Sequence, residues 1–294
     1  MKRGIDISKW QGKIDFEKVK KAGVEFAIIR AGYGKEISQK DSYFEKNYEG
    51  FKKVGIPVGV YWYSYAKNAR EAREEALVCA EIIKGKQFEY PIFLDMEEED
   101  GFKGGMENAS EIVRMFCSTL EEKGYFSGLY ISRSPLQTYI SGYVALKYCL
   151  WIAEYSSKLH WSGYYGIWQY SAKGRIDGID GYVDMDISQV DYSEIIKKKG
   201  FNGYENPDDL DEKENQNNKL LPYTKINLKR VKLYASSKSN KGIKVSGIFW
   251  IYDGKEINGR YRLTNAKGKC NRNPIKDNVT GWVDGKDIMK NLHK

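Results

Sequence analysis

The chain is 294 residues long, enough for one large domain plus a smaller one, and its two histidines, His160 and His293, argue against a histidine-based triad or a zinc site. No stretch approaches the length of a membrane span, and the opening Met1-Lys2-Arg3-Gly4-Ile5-Asp6 lacks the apolar segment of a secretory signal. The net charge of +8 is uneven: residues 1–200 carry 29 Lys+Arg against 29 Asp+Glu, residues 201–222 carry 2 against 6, and residues 223–294 carry 17 against 5.

In chain order, apolar runs fit strands at 4–7, 26–29, 58–61, 92–94, 128–131, 150–153, 166–169 and 183–186. Amphipathic segments separate the early ones, at 15–22, 40–54, 68–83 and 108–123. In the last of these, Ile112, Met115, Phe116 and Leu120 recur at helical spacing and form one apolar stripe. Strand–helix repetition predicts an α/β fold with a parallel sheet, and eight strands predict a barrel whose last three strands lack full helices. Cys79 and Cys117 fall in helical patterns and Cys149 in a strand, and with Cys270 they show no close pairing or metal spacing, so buried free thiols are expected. Residues 202–222 are polar, acidic and nearly free of apolar side chains, which predicts a linker. Beyond it, short strands at 232–234, 244–252, 260–263 and 280–283, with a turn at Asp253-Gly254, predict a small all-β barrel. The expected domains are therefore 1–200 and 223–294, joined by 201–222. The +12 balance of the second suggests an anionic polymer as partner.

The stretch Pro91-Ile92-Phe93-Leu94-Asp95-Met96-Glu97 carries the most chemistry. A buried strand ends there in two carboxylates two residues apart, which strand alternation places on one side. Glycosidic bond cleavage needs such a pair, one proton donor and one anion to stabilise positive charge. A solvated acidic loop is the competing reading, because Glu98, Glu99 and Asp100 follow directly. In a barrel, active groups collect where strands end in loops. Asp6 stands near the end of the first strand and Asp184 in the last, with Asp186 on the same face, so distant residues converge on one mouth. A carboxyl crowded by anions and aromatics keeps its proton while its neighbour stays ionised. Tyr61, Tyr63, Tyr130, Trp151 and Trp168 lie at or near the same ends, as walls of a sugar groove or as core filling.

The segment Gly4-Ile5-Asp6-Ile7-Ser8-Lys9-Trp10-Gln11-Gly12, with Ile14-Asp15-Phe16, resembles the opening motif of glycoside hydrolase family 25. These are the Chalaropsis-type muramidases of phage endolysins and bacterial autolysins. Further stretches match in order: Val58-Gly59-Val60-Tyr61, Leu94-Asp95-Met96-Glu97, Leu150-Trp151-Ile152-Ala153-Glu154-Tyr155, Gly166-Ile167-Trp168-Gln169-Tyr170 and Val183-Asp184-Met185-Asp186. The resemblance spans residues 1–195 and implies a flattened TIM-like (β/α)5β3 barrel. It implies hydrolysis of the β-1,4 bond between N-acetylmuramic acid and N-acetylglucosamine in peptidoglycan, without cofactor or metal. Carried over by motif, Glu97 is the general acid, Asp95 the anion supporting the transition state, and Asp6 and Asp184 complete the carboxylate set. Tyr61, Tyr63, Tyr130, Trp151, Trp168 and Asp186 are the expected substrate contacts. Trp62 departs from the pattern, since relatives often carry His after the third-strand Tyr.

Residues 223–290 resemble a bacterial SH3-like wall-binding domain, chiefly through Thr280-Gly281-Trp282-Val283. The expected partners are peptidoglycan and anionic wall polymers, with no nucleic acid and no membrane insertion. The whole reads as an endolysin made in the host cytoplasm without a signal peptide and released to the wall. The alternatives are a catalytically inactive wall-binding protein and a hydrolase of chitin-like N-acetylglucosamine polymers. Three lesser motifs are set aside. Gly32-Tyr33-Gly34 has Ile37 where a dinucleotide fingerprint needs its third glycine, and reads as a turn. Aligning Gly101 as the sixth residue of a calcium loop puts Met96 where a carboxylate is required. Lys197-Lys198-Lys199 reads as a solvated helix end.

Overall fold

The eight apolar runs become eight strands of one closed sheet: β1 (Lys2–Ile7), β2 (Phe26–Tyr33), β3 (Val58–Tyr63), β4 (Ile92–Asp95), β5 (Ser127–Ser132), β6 (Cys149–Ala153), β7 (Ile167–Gly174) and β8 (Val183–Ser188). The structure, a computed structural model, describes residues 1–206, 220–272 and 278–292. Strands β1 to β7 run parallel to their neighbours, while β8 is antiparallel to both β7 and β1 and closes the barrel. The first three crossovers carry α1 (Phe16–Lys21), α2 (Phe44–Lys53) and α3 (Ala69–Ile83). The fourth carries α4 (Glu99–Phe102) and α5 (Gly105–Glu121), and the fifth α6 (Arg133–Tyr139) and α7 (Gly142–Lys147). The last two connections hold no helix, and α8 (Tyr192–Lys199) follows β8 with Lys197, Lys198 and Lys199 in its final turn, where cations favour the helix dipole.

Local chemistry sets the helix starts. The Asp15 carboxylate accepts from the Lys18 amide at 3.2 Å and the Asn68 side chain from the Glu71 amide at 3.1 Å, capping α1 and α3. The second helix begins at Phe44 rather than near residue 40, because Asp41 holds the chain in a turn: its carboxylate accepts from the amides of Lys9 and Tyr43.

Strand alternation divides the barrel residues between two apolar layers. Ile5, Ile7, Ala27, Ile29, Val58, Val60, Leu94 and Leu129 face outward into one core with the helices. Phe26, Ile28, Phe93, Tyr130, Trp151 and Ile167 fill the interior. Inward-facing glycines make room for those rings: a Cβ at Gly4 would lie 2.2 Å from the Phe26 ring. Trp62 belongs to the outward set, fully buried, with its Nε1 donating to the Gly34 carbonyl at 3.0 Å. It faces the helices, and the β3 side chains that line the cavity at the barrel mouth are those of Tyr61 and Tyr63. All four cysteines are free thiols; Cys79, Cys117 and Cys270 are buried and Cys149 is half-buried.

The chain forms two compact units, Met1–Pro207 and Asp208–Lys294. Residues 201–206, expected to open the linker, instead pack on the barrel. Asn202 is fully buried, its Oδ1 accepting from the Phe126 amide at 2.7 Å and its Nδ2 donating to the Tyr90 carbonyl at 2.9 Å. Paired on both sides, a polar residue sits in a core at little cost, which composition does not reveal. Of the remaining expected linker, residues 207–219 lie outside the described residues, and Leu220 is buried in the core of the second unit instead of being solvated.

The second unit is a closed antiparallel sheet of β9 (Lys225–Tyr234), β10 (Gly242–Ile257), β11 (Arg260–Thr264) and β12 (Gly281–Asp284), in the order β10-β11-β12-β9. It also carries a helix, α9 (Gly285–Leu292), so the unit is not all-β. Ile226, Leu228, Ile251, Leu263, Val283 and Ile288 form its core. The expected turn at Asp253-Gly254 is corrected. Those residues lie within β10, at a slip in register between Ile251 and Glu256, and Gly254 takes φ +68°. The hairpin turns at Asn258-Gly259, with φ of +51° and +74°. Two consecutive positive values are what a tight type I′ turn requires, and Asn-Gly supplies them at least strain. Among the described residues, no helix is long and apolar enough to cross a membrane.

Candidate active site

The reversed direction of β8 builds the site. Its first residues meet the carboxyl ends of the parallel strands, so Asp6 stands opposite Asp184 in register, and Gly4 opposite Asp186. Asp95 ends β4, opposite Tyr63 on one side and Tyr130 on the other, and Tyr130 is opposite Trp151. Glu97 follows two residues after Asp95, with Met96 between them turned into the outer core.

These residues meet around one cavity of about 210 Å³. It is lined by Asp6, Asp95, Glu97, Asp184, Tyr61, Tyr63, Tyr130 and Trp151, all expected from sequence, and by Arg30, Tyr155 and Gln169, which were not. Two expected contacts do not line it. Asp186 points the same way as Asp184 but lies one register pair deeper, fully buried, with its Oδ1 accepting from Trp151 Nε1 at 2.8 Å. Trp168 alternates with Gln169 on β7, so its side chain leaves the interior and Nε1 donates to the Glu154 carbonyl at 2.8 Å.

The added residues organise the set. Gln169 is buried and makes three bonds: its Nε2 donates to Asp6 Oδ2 at 2.7 Å, and its Oε1 accepts from the hydroxyls of Tyr130 at 2.9 Å and Tyr155 at 3.0 Å. Arg30 is the cation in the cavity lining, and its Nε and Nη2 both reach Asp41 Oδ2 at 2.7 Å. The Tyr63 hydroxyl donates to Glu98 at 2.7 Å. Signals for these residues were present. Arg30 continues the inward alternation of Phe26 and Ile28, while Gln169 and Tyr155 lie within stretches that carry the family resemblance. A neighbouring cavity of about 410 Å³ shares Arg30 and Tyr63 and adds Lys9, Trp10, Tyr33 and Tyr65. Trp10, on the turn after β1, is 77% exposed there.

Four carboxyls therefore line the cavity with Asp186 behind them, and the one guanidinium among the lining residues is already shared with Asp41. Burial, then the charges of Asp186 and Asp184, push Asp6 well above the usual carboxylate range, with the Gln169 bond opposing. Asp95 is likewise raised by burial and by Glu97, and here Arg30 pulls the other way. Glu97, on the solvent-facing rim, is raised by desolvation against the cleft wall and by Asp184 and Glu98, while the Tyr130 hydroxyl pulls it down. Desolvation raises Asp184, and burial pushes Asp186 up to about 8. Such a cluster retains protons near neutrality, so it can offer a proton donor beside an anion.

The sequence description of glycosyl hydrolases family 25 matches residues 5–179. The chain is 32% identical to the autolytic lysozyme of Clostridium acetobutylicum over 185 residues, 63% of this chain and 55% of that protein, so it spans about half the length of that relative. It is similar in structure to the modular autolysin LytC of Streptococcus pneumoniae, solved with a synthetic peptidoglycan ligand, at 32% identity and a TM-score of 0.57, covering 63% of this chain and 46% of that one. It is also similar to the CTP1L endolysin, at 25% identity and a TM-score of 0.60, covering 68% and 70% of the two chains. With more than half its length matched, the chain belongs to glycosyl hydrolase family 25.

Proposed function

We propose that this chain cleaves the β-1,4 bond between N-acetylmuramic acid and N-acetylglucosamine in peptidoglycan. The observation that carries the reading is the meeting of Asp6, Asp95, Glu97 and Asp184, from three distant segments, in one tyrosine-walled cavity. The lysozyme, the ligand-bound autolysin and the endolysin named above support the choice of substrate. Glu97 is the proton donor to the glycosidic oxygen: it is exposed at the cavity rim, and burial, Asp184 and Glu98 raise its affinity for the proton. Asp95 is the anion that faces the positive charge developing on the sugar ring: burial and Glu97 raise it, but Arg30 opposes its protonation and no cation is among the causes acting on Glu97, so a proton shared by the pair rests on Glu97. Asp184 helps keep the proton on Glu97, Asp6 holds Gln169 in place, and Tyr61, Tyr63, Tyr130 and Trp151 line the sugar's path. The second unit is the targeting module, an SH3-like wall-binding barrel, consistent with its basic balance and four-stranded closed sheet.

Glu97→Gln tests the reading. It removes the acid and preserves size, so release of reducing ends from purified walls should fall by 10²-fold or more, at about the usual worth of general acid catalysis. Circular dichroism should stay unchanged. Wild-type rates in the folded variant would refute the assignment, and mass spectrometry of fragments released by the native chain would separate muramidase cleavage from hydrolysis of chitin-like polymers.

A further inference from the structure

The described part of the second unit carries its cations in two different ways. Arg260 and Arg262 are neutralised inside the fold, Arg260 by Asp284 at 2.8 Å and Arg262 by Asp253 at 2.5 Å. Each also lies over an aromatic ring, Tyr234 and Trp282 respectively. The cations of β9 and β10 are left open. Along β9, Ile226, Leu228, Val231 and Leu233 face the core, while Lys225, Lys229, Arg230 and Lys232 are exposed. On β10 the exposed Lys244 stands directly opposite Lys232 in register. Among the described residues, none of these five side chains forms an ion pair with a carboxylate.

Like charges directly opposed across a strand pair repel and weaken the sheet. The irregularity between Val245 and Gly247 adds to the charge. Arg230 takes φ +53° there, and two consecutive cations, Lys229 and Arg230, are exposed instead of one. Beside the row, the exposed Ile248 faces Asn227 and the half-buried Trp250 faces Lys225. Folding alone gains nothing from an uncompensated cation row that includes a repulsive pair. An extended polyanion along the strands would neutralise the whole row, since same-side residues repeat about every 6.6 Å.

We infer that the outer face of β9 and β10 is a binding surface for a linear poly(alditol phosphate), laid along Lys225, Lys229, Arg230, Lys232 and Lys244. The choice of a wall-type phosphodiester over a nucleic acid rests on the wall-hydrolase reading of the first unit. The probe is purified poly(glycerol phosphate), which holds no glycosidic bond for the barrel to cut, titrated into the full-length protein over a salt series. Five contacts predict a log–log salt slope near −3.5, at about 0.7 per phosphate on a flexible strand. The double substitution Lys232→Gln with Lys244→Gln should remove about 1.4 of that slope and weaken binding on the order of tenfold at low salt. The same variant should melt no lower than the parent, because it removes a repulsion, which separates lost binding from lost fold. The charge-matched control Lys286→Gln with Lys290→Gln, on α9, should leave the slope unchanged. Equal losses in both variants would reduce the effect to net charge and overturn the surface. Duplex DNA of equal phosphate count binding as tightly would overturn the wall-polymer assignment. Reducing-end release from walls reports on the barrel separately, so failure of either reading is visible without the other.

Discussion

Replacing Asp186 by Asn should change how stability depends on pH far more than it changes stability itself. Asp186 is fully buried, its Oδ1 accepts from Trp151 Nε1 at 2.8 Å, and Asp6 is its other side-chain hydrogen-bonding neighbour. Burial holds its folded-state pKa up at about 8, against a usual value of 3.8. Its contribution is therefore fully present below pH 4 and is lost as pH rises through 8. A displacement of that size corresponds to roughly 6 kcal/mol for an isolated group. Asp6 draws on the same proton, so removing one charge should recover about half, on the order of 2–3 kcal/mol. Asparagine keeps an acceptor for Trp151 and gains a donor toward Asp6. Denaturant unfolding of both proteins, followed by circular dichroism at acid, neutral and mildly alkaline pH, should give matching stabilities at the acid end. The variant should then become progressively more stable as pH rises. Parallel curves over the whole range would show that Asp186 is ionised in the fold, and the account of a proton-retaining cluster would fail with it.

Gln169→Leu should leave the buried Asp6 carboxyl and Tyr130 hydroxyl without their shared partner, at about 1–3 kcal/mol each, with slower wall hydrolysis; an unchanged melting temperature would deny the bridging role. Arg30→Met should strand the buried Asp41 carboxylate at a cost of about 3–5 kcal/mol. It should also raise Asp95 further, so the acid limb of the pH–rate profile should move to higher pH, and an unmoved limb would disconnect Arg30 from Asp95. Gly4→Ala drives a methyl group into the Phe26 ring and should lower the melting temperature by an amount equivalent to about 1–3 kcal/mol, whereas no change in calorimetry would mean the ring moves aside freely.

The places where sequence reading stopped share a cause. Alternation within a strand is local, so Asp95 and Glu97 were readable as a pair, and Tyr61 with Tyr63. Whether an aromatic faces the barrel interior or the helices depends on the phase of each strand. That phase turned Trp168 out and Gln169 in. The Asp253-Gly254 dipeptide carries turn chemistry, yet a long strand absorbs it as an irregularity because Asn258-Gly259 supplies both positive φ values of the hairpin. Asn202 looked like part of a solvated linker because its two bonding partners, Tyr90 and Phe126, lie far away in the chain.

By itself the sequence determined the eight strands of the barrel, the helices that separate the early ones, the acidic identity of the site and the division of charge between the two ends of the chain. Those properties follow from side-chain periodicity and composition, which need no partner. Only the tertiary structure decided that β8 runs against its neighbours. That reversal brings Asp184 to the mouth opposite Asp6 and sinks Asp186 behind it. Burial and proximity then set which carboxyls hold protons, and both are properties of packing between segments distant in sequence.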